Sequence, residues 1–295
     1  MNPNLKSHFA IIGANSIWGI NYVIAKGIMP DFLLPRAIVF LRVCGTVIFL
    51  WVLHFSLPSK KVEKKDLLRM ALCSVFGVVI NQILFFEGLN LSTPVNASII
   101  MTVTPILILI FSYFILKEEI IGVKIFGIMV GGAGALMIVL SAGAGDFRSN
   151  TLLGNFMILM NACSWALYLV LVKSLMGKYD SLTIMKWIFF FGFIMITPFS
   201  FSITASSSFA KLPFYIWMSI LFVVFINTSL AYYLINYSLK TVSPNINGIY
   251  IYLQPLVASL VAIIFRNDTF TVIDLTAAVL IMAGVYLVTR QRKLR

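Results

Sequence analysis

Catalysis and metal binding need titratable, nucleophilic or ligating side chains, and this chain is poor in them. Its 295 residues include 2 His, 3 Cys and 10 acidic residues. His8 and His54 stand apart, with no His/Cys/carboxylate spacing that would hold a metal. Cys44, Cys73 and Cys163 each lie inside an apolar run, are odd in number and form no Cys-x-x-Cys pair. An enzyme would need several such groups converging on one cavity. No catalytic residue, metal or cofactor is therefore expected.

What the chain does carry is a recurrent set of amides and aromatics inside otherwise apolar segments. Asn15, Trp18 and Tyr22 follow i, i+3, i+7 and share one helix face; Asn161, Trp165 and Tyr168 repeat this at i, i+4, i+7. Asn81, Gln82, Asn227 and Thr228 fall in two further segments, and Asn96, Ser98, Asn247, Tyr250 and Gln254 in two more. One reading is a cavity wall on which amides orient a ligand's polar end and rings cover the rest. The other is packing, with amides joining neighbouring helices and Trp/Tyr anchored at an interface. Trp18 and Trp165 stand some ten residues into their helices, about 15 Å along the axis, too deep for an interfacial belt. Pro105 and Pro255 lie half-way along their segments as static kinks or bending points, because proline removes a backbone hydrogen bond. Lys26, Arg42, Glu87, Lys173 and Lys186 fall near segment ends; they read as snorkelling anchors, or Glu87 pairs with Arg42 or Lys26 as an outer gate. No carboxylate lies mid-segment, so a carboxylate proton relay finds no support.

The elements that hold these residues follow from hydropathy. Apolar residues make up 60% and charged residues 11% of the chain, and mean hydropathy is +0.99. A soluble domain averages about 45–50% and about 25%, so the chain reads as an integral membrane protein. A span needs about 20 apolar residues. Candidates cover 8–27, 35–56, 67–87, 94–115, 121–141, 152–172, 182–204, 212–238, 244–265 and 271–289, separated by turn-forming or charged breaks. The expected fold is all-α, with ten transmembrane helices. The net charge of +12 sits in loops and the tail, which argues against nucleic acid and for an orientation signal. With ten spans, one side holds 16 of the 22 Lys and Arg residues and the other 6. The positive-inside rule then puts both termini in the cytoplasm.

A duplication runs through the chain at an offset of about 150 residues. Pro94-x10-Pro105 returns as Pro244-x10-Pro255, Trp18-x7-Lys26 as Trp165-x7-Lys173, and Gly134-Ala135-Leu136-Met137 as Gly284-Val285-Tyr286-Leu287. The stretch from Ser141 to Asp146 is the expected connector, so the halves are 1–143 and 150–295. Five helices per half is an odd number, which forces the second half to enter the membrane upside down. Inverted repeats of this kind belong to secondary transporters, with the substrate site between the halves and alternating access. Gly127, Gly131 and Gly134, with Ala277 and Gly284, read as a close helix–helix contact.

Together with Leu116-Lys117-Glu118-Glu119 and Gly127-x3-Gly131-Gly132-x-Gly134, this plan resembles the EamA family of the drug/metabolite transporter superfamily. The second half departs from the pattern: Arg266-Asn267-Asp268-Thr269 replaces the acidic loop and Ala277 stands at the place of Gly127. The resemblance implies two five-helix repeats in a cytoplasmic-membrane protein that moves a small organic solute, with export of amino acids or related metabolites as the favoured class. Carriage of multiple drugs or of lipid-linked substrates is the alternative within the superfamily, and a non-catalytic structural role the alternative outside it. The expected partners are a small-molecule substrate and the lipid bilayer, in a monomer or homodimer.

Overall fold

The computed structural model describes residues 3–56, 62–141, 149–266 and 272–289. Among them there is no strand. A backbone in hydrocarbon must satisfy its own N–H and C=O groups, which a helix does within one segment. Twelve helices are described: α1 (Pro3–Ile28), α2 (Pro35–Ser56), α3 (Lys64–Leu91), α4 (Pro94–Met101), α5 (Thr104–Leu116), α6 (Gly122–Ser141), α7 (Ser149–Lys173), α8 (Ser181–Ala205), α9 (Phe214–Ser238), α10 (Pro244–Ile249), α11 (Leu253–Arg266) and α12 (Val272–Thr289). Five segments are long and apolar enough to cross a membrane: Pro35–Leu53, Lys64–Leu91, Leu152–Lys173, Ser181–Ala205 and Phe214–Ser238. Three shorter apolar helices, Thr104–Leu116, Gly122–Met137 and Leu275–Thr289, join them. Large apolar side chains such as Phe114, Phe126, Met129, Phe156, Phe199 and Val279 point outward, as a lipid-facing surface requires. Residues 142–146 of the expected connector Ser141–Asp146, the Asn267–Thr269 stretch and the basic tail at 290–295 lie outside the described residues.

Local chemistry explains where the helices stop. At Ser92 the backbone turns extended (φ −111°, ψ −171°), and Pro94 opens the next helix two residues on. Asp180 caps α8, its carboxylate accepting from the Thr183 N–H at 2.9 Å and the Thr183 hydroxyl at 2.6 Å. Ser243 caps α10 by accepting from the Ile246 N–H, with Pro244 at the first helical position. Lys117 ends α5 in the left-handed region at φ 58°, and Glu118 of that loop accepts from Asn245 Nδ2 at 2.7 Å, fastening it to α10.

The segments 94–115 and 244–265, expected as single spans, are each two pieces. Residues 102–103 separate α4 from α5, and a 3-10 turn at Tyr250–Tyr252 separates α10 from α11. Pro105 and Pro255 fall within the first turns of α5 and α11, where a missing N–H costs little. Each ring would clash with the carbonyl four residues back in a continuous helix, so the helix is interrupted rather than bent.

Packing brings distant segments together. α2 lies against α8, α3 against α7, α6 against α12, and α1 against α9 and α11. The α6–α12 contact is backbone to backbone: a Cβ on Gly284 would stand 2.6 Å from the Gly127 carbonyl oxygen and the Gly131 nitrogen. On the α2–α8 face, Trp51 meets Trp187 and Phe40 meets Phe193 edge-on or tilted. Asp66, fully buried at the start of α3, takes Lys178 Nζ at 3.0 Å and the Tyr179 hydroxyl at 2.9 Å, tying α3 to the turn after α7.

Candidate functional site

The site begins with two departures from regular winding. Val75–Ile80 in α3 and Phe222–Leu230 in α9 wind as π-helix, a geometry that recurs at functional sites. In α9 the wide turn is stitched by hydroxyls, Thr228 Oγ1 donating to the Val223 carbonyl at 2.6 Å and Ser229 Oγ to that of Val224 at 3.0 Å. In α3 the Gly77 carbonyl is free to accept from the Tyr232 hydroxyl at 2.8 Å. Gly77 is also where Tyr168 packs: a Cβ there would come 2.3 Å from its ring.

Between these helices and α1, α2, α4, α7 and α11 lies a cavity that opens to solvent at its mouth. Its aromatic wall is built where α1, α7 and α9 meet. The rings of Trp18 and Trp165 touch edge to face, centroids 5.1 Å apart at 86°. Tyr232 stands 6.0 Å from Trp18 and 5.4 Å from Trp165. Trp18 Nε1 donates to the Asn227 carbonyl at 3.2 Å, which fixes its ring. Tyr22 and Phe85 continue the wall, 5.5 Å apart.

Amides supply the polar part. Asn161 Nδ2 donates to the Asn81 carbonyl at 2.7 Å. Gln254 Nε2 donates to Asn15 Oδ1 at 2.9 Å, and its Oε1 accepts from the Tyr22 hydroxyl at 3.3 Å. Four amide oxygens on lining residues are buried without a protein donor: Asn21 Oδ1, Gln82 Oε1, Asn161 Oδ1 and Asn227 Oδ1. Each such group costs about 1–3 kcal/mol if left unpaired, so the wall holds acceptor capacity that the protein itself does not use.

Of the residues singled out in the sequence, Trp18, Tyr22, Asn81, Gln82, Asn161, Trp165, Asn227 and Gln254 line this cavity. Asn15 sits behind it, holding Gln254 and donating to the Ile11 carbonyl at 2.9 Å. Tyr168 backs Trp165 at 5.0 Å and donates to Asn236 Oδ1 at 2.8 Å. Asn96, Asn247 and Tyr250 are not in the lining. Asn247 donates to Ser238 Oγ, the Tyr250 hydroxyl pairs with His8 Nδ1 at 2.8 Å, and Asn96 is buried with both amide atoms unpartnered. Five lining residues lay outside the sequence-derived set: Asn21, Arg42, Phe85, Met101 and Tyr232.

The charged residues at segment ends also fall differently. Glu87 pairs with Arg36 at 2.8 Å, not with Arg42 or Lys26. Lys26 donates to the carbonyls of Leu89, Asn90 and Ser92 at 2.9–3.1 Å, and Lys173 to those of Leu239 and Val242. Each lysine closes the carbonyl end of a helix, a favourable place for a cation. Lys186 is buried with its ammonium over the Trp51 and Trp187 rings at 5.0 and 5.3 Å. Arg42, expected at a boundary, is inside the cavity wall because α9 covers it.

A model of the EamA-like transporter family matches residues 5–140 and again residues 152–290. The chain is similar to "Uncharacterized transporter YetK" of Bacillus subtilis (strain 168), 24% identical over 99% of this chain and 89% of that one. It is equally similar to an uncharacterized transporter of Archaeoglobus fulgidus, 24% identical over 98% of this chain and 99% of the other. A crystal structure 15% identical in sequence superposes with a TM-score of 0.75, covering 97% of this chain and 96% of that one, which speaks to the fold alone.

Proposed function

The chain belongs to the EamA-like transporter family and is a multi-pass membrane protein; we propose that it is a secondary transporter carrying a small organic solute across the cytoplasmic membrane through the Trp18–Trp165 cavity by alternating access. Amino acids or related metabolites, exported from the cell, are the favoured class. The observation that carries this reading is that matching tryptophans from the two halves meet edge to face in the wall of one internal cavity. Substrate sites in inverted-repeat carriers lie between the repeats, beside interrupted helices.

The reading takes the chain as ten spans in two inverted five-helix repeats, 1–143 and 150–295, both ends cytoplasmic, functioning as a monomer or homodimer. Paired features support it. α3 lies against α7 as α9 lies against α1, and α5 against α7 as α11 against α1. Lys26 and Lys173 close equivalent helix ends, the π-helical stretches of α3 and α9 (one of α5, Ser112–Leu116, has no such counterpart among the described residues) are offset by 147 residues at their starts (Val75 and Phe222), and the breaks before Pro105 and Pro255 correspond. Purified protein in liposomes, loaded in turn with amino acids, nucleosides and sugars, tests the function. Saturable efflux of one class that falls with Trp18→Ala is expected; no saturable flux of any class rejects it.

A further inference from the structure

The cavity wall holds a charge whose partner is missing. Arg42 is 4% exposed, and among the described residues that line the cavity it is the one charged side chain. Its Nε donates to Thr228 Oγ1 at 2.8 Å and its guanidinium lies over the Phe86 ring, 4.8 Å from the centroid. These two contacts aim the side chain and leave its terminal Nη groups without a protein acceptor among the described residues. Glu87, a carboxylate on the helix alongside, is occupied by Arg36. A buried cation without a counter-ion is costly, and in a membrane protein it marks a substrate or ion path.

We infer that Arg42 is the receptor for a single carboxylate on the transported solute. This rests on reading the cavity as the substrate site. The planar fork of a guanidinium matches a carboxylate through two parallel N–H···O bonds. One cation balances one negative charge, and no lysine or second arginine stands in the lining to balance a phosphate dianion. The unpaired oxygens of Asn21, Gln82, Asn161 and Asn227 repel further negative charge and favour N–H donors elsewhere on the solute. The rings of Trp18, Tyr22, Phe85, Trp165 and Tyr232 face its apolar part. The occupant has a carboxylate at one end and an apolar or aromatic body, and it gains further by carrying an amine. Thr228 acts as a positioning residue, holding Arg42 through Nε so that the outer edge of the guanidinium faces inward.

The test uses four probes on the full-length protein in detergent, with binding read by thermal stabilisation: 3-phenylpropionate, phenylalanine, phenethylamine and inorganic phosphate. Wild type is expected to bind the two acids and to bind phenethylamine and phosphate far more weakly. Arg42→Gln should weaken both acids by about thirtyfold or more, the usual scale for removing one partner of a buried charge pair, while phenethylamine, a cation relieved of repulsion by Arg42, should bind no more weakly than it does to wild type. Arg42→Lys keeps the cation without the fork and should retain part of the affinity, which keeps the test readable if the Gln variant does not fold. Acids that bind Arg42→Gln as tightly as wild type, or a wild type that prefers phenethylamine or phosphate or binds neither acid, would overturn the proposal. Flux in liposomes is scored separately. Arg42-dependent binding of acids without flux would remove the transport reading and leave the carboxylate receptor; saturable flux of phenethylamine alone would do the reverse.

Discussion

At the scale of single residues, the site is set by how side chains spend their hydrogen bonds. Tyr232 joins α9 to α1, α3, α7 and α8, its hydroxyl on the Gly77 carbonyl and its ring against Trp18, Trp165 and Phe189. Tyr232→Phe keeps the ring and strands that carbonyl, so it should cost about 1–2 kcal/mol of stability and slow flux more than Tyr233→Phe does, measured by melting and by transport in liposomes. Trp18 is half-buried and Trp165 almost fully buried, so the two tryptophans should not respond alike. Trp165→Ala should lose about 3–5 kcal/mol as a core truncation; Trp18→Ala should fold better yet still lose most of its transport. Equal flux in wild type and Trp18→Ala would make Trp18 a packing residue. Both tryptophans were legible in the sequence, because depth and duplication single them out. Tyr232 was not: it lies beside Tyr233 in a run whose inward face depends on a π-helical stretch that shifts the register. Arg42 escaped for a different reason. Seven residues into α2 it counts as boundary by distance, and its burial comes from α9, 186 residues away in the chain.

At the scale of elements, the interruptions and caps carry the argument. The expected kinks at Pro105 and Pro255 are breaks between short helices, a distinction invisible in the sequence because proline at a first turn and proline in a kink look the same. If these breaks bend during transport, Pro105→Ala and Pro255→Ala allow a continuous helix, and turnover should fall more than substrate binding; unchanged turnover in both and in the double variant would leave them static. The contact of α6 and α12 was readable from its small residues, since glycine spacing on apolar helices has one common use. Gly284→Val should prevent stable assembly, seen as loss of a monodisperse peak, because its Cβ would collide with backbone. The α8 cap has a pH signature. Burial alone would raise the Asp180 carboxyl, but the Thr183 hydroxyl and N–H, with Lys240 nearby, hold it below its ordinary value. Its contribution to stability is therefore present above about pH 4, the unfolded value, and is lost as pH falls through the lowered native value. Melting of Asp180→Asn should show less of this acid-side loss than wild type.

At the scale of the whole molecule, composition alone identified a membrane protein, and the family model matches twice along the chain, over residues 5–140 and 152–290. The topology is a separate expectation, argued from the charge asymmetry. Single cysteines placed between α2 and α3 and between α6 and α7 should react with an impermeant thiol reagent only from inside and only from outside the cell, respectively. The claim on which everything else depends is that the Trp18–Trp165 cavity opens to one side of the membrane and then to the other. It is tested most directly by placing a cysteine in the cavity wall, at Asn21 or Gln82, with Cys44, Cys73 and Cys163 replaced, and labelling oriented vesicles from each side. The account predicts labelling from both sides, with a transported solute slowing it from both as it fills the cavity. Labelling from one side alone, unaffected by any solute that crosses, would contradict it.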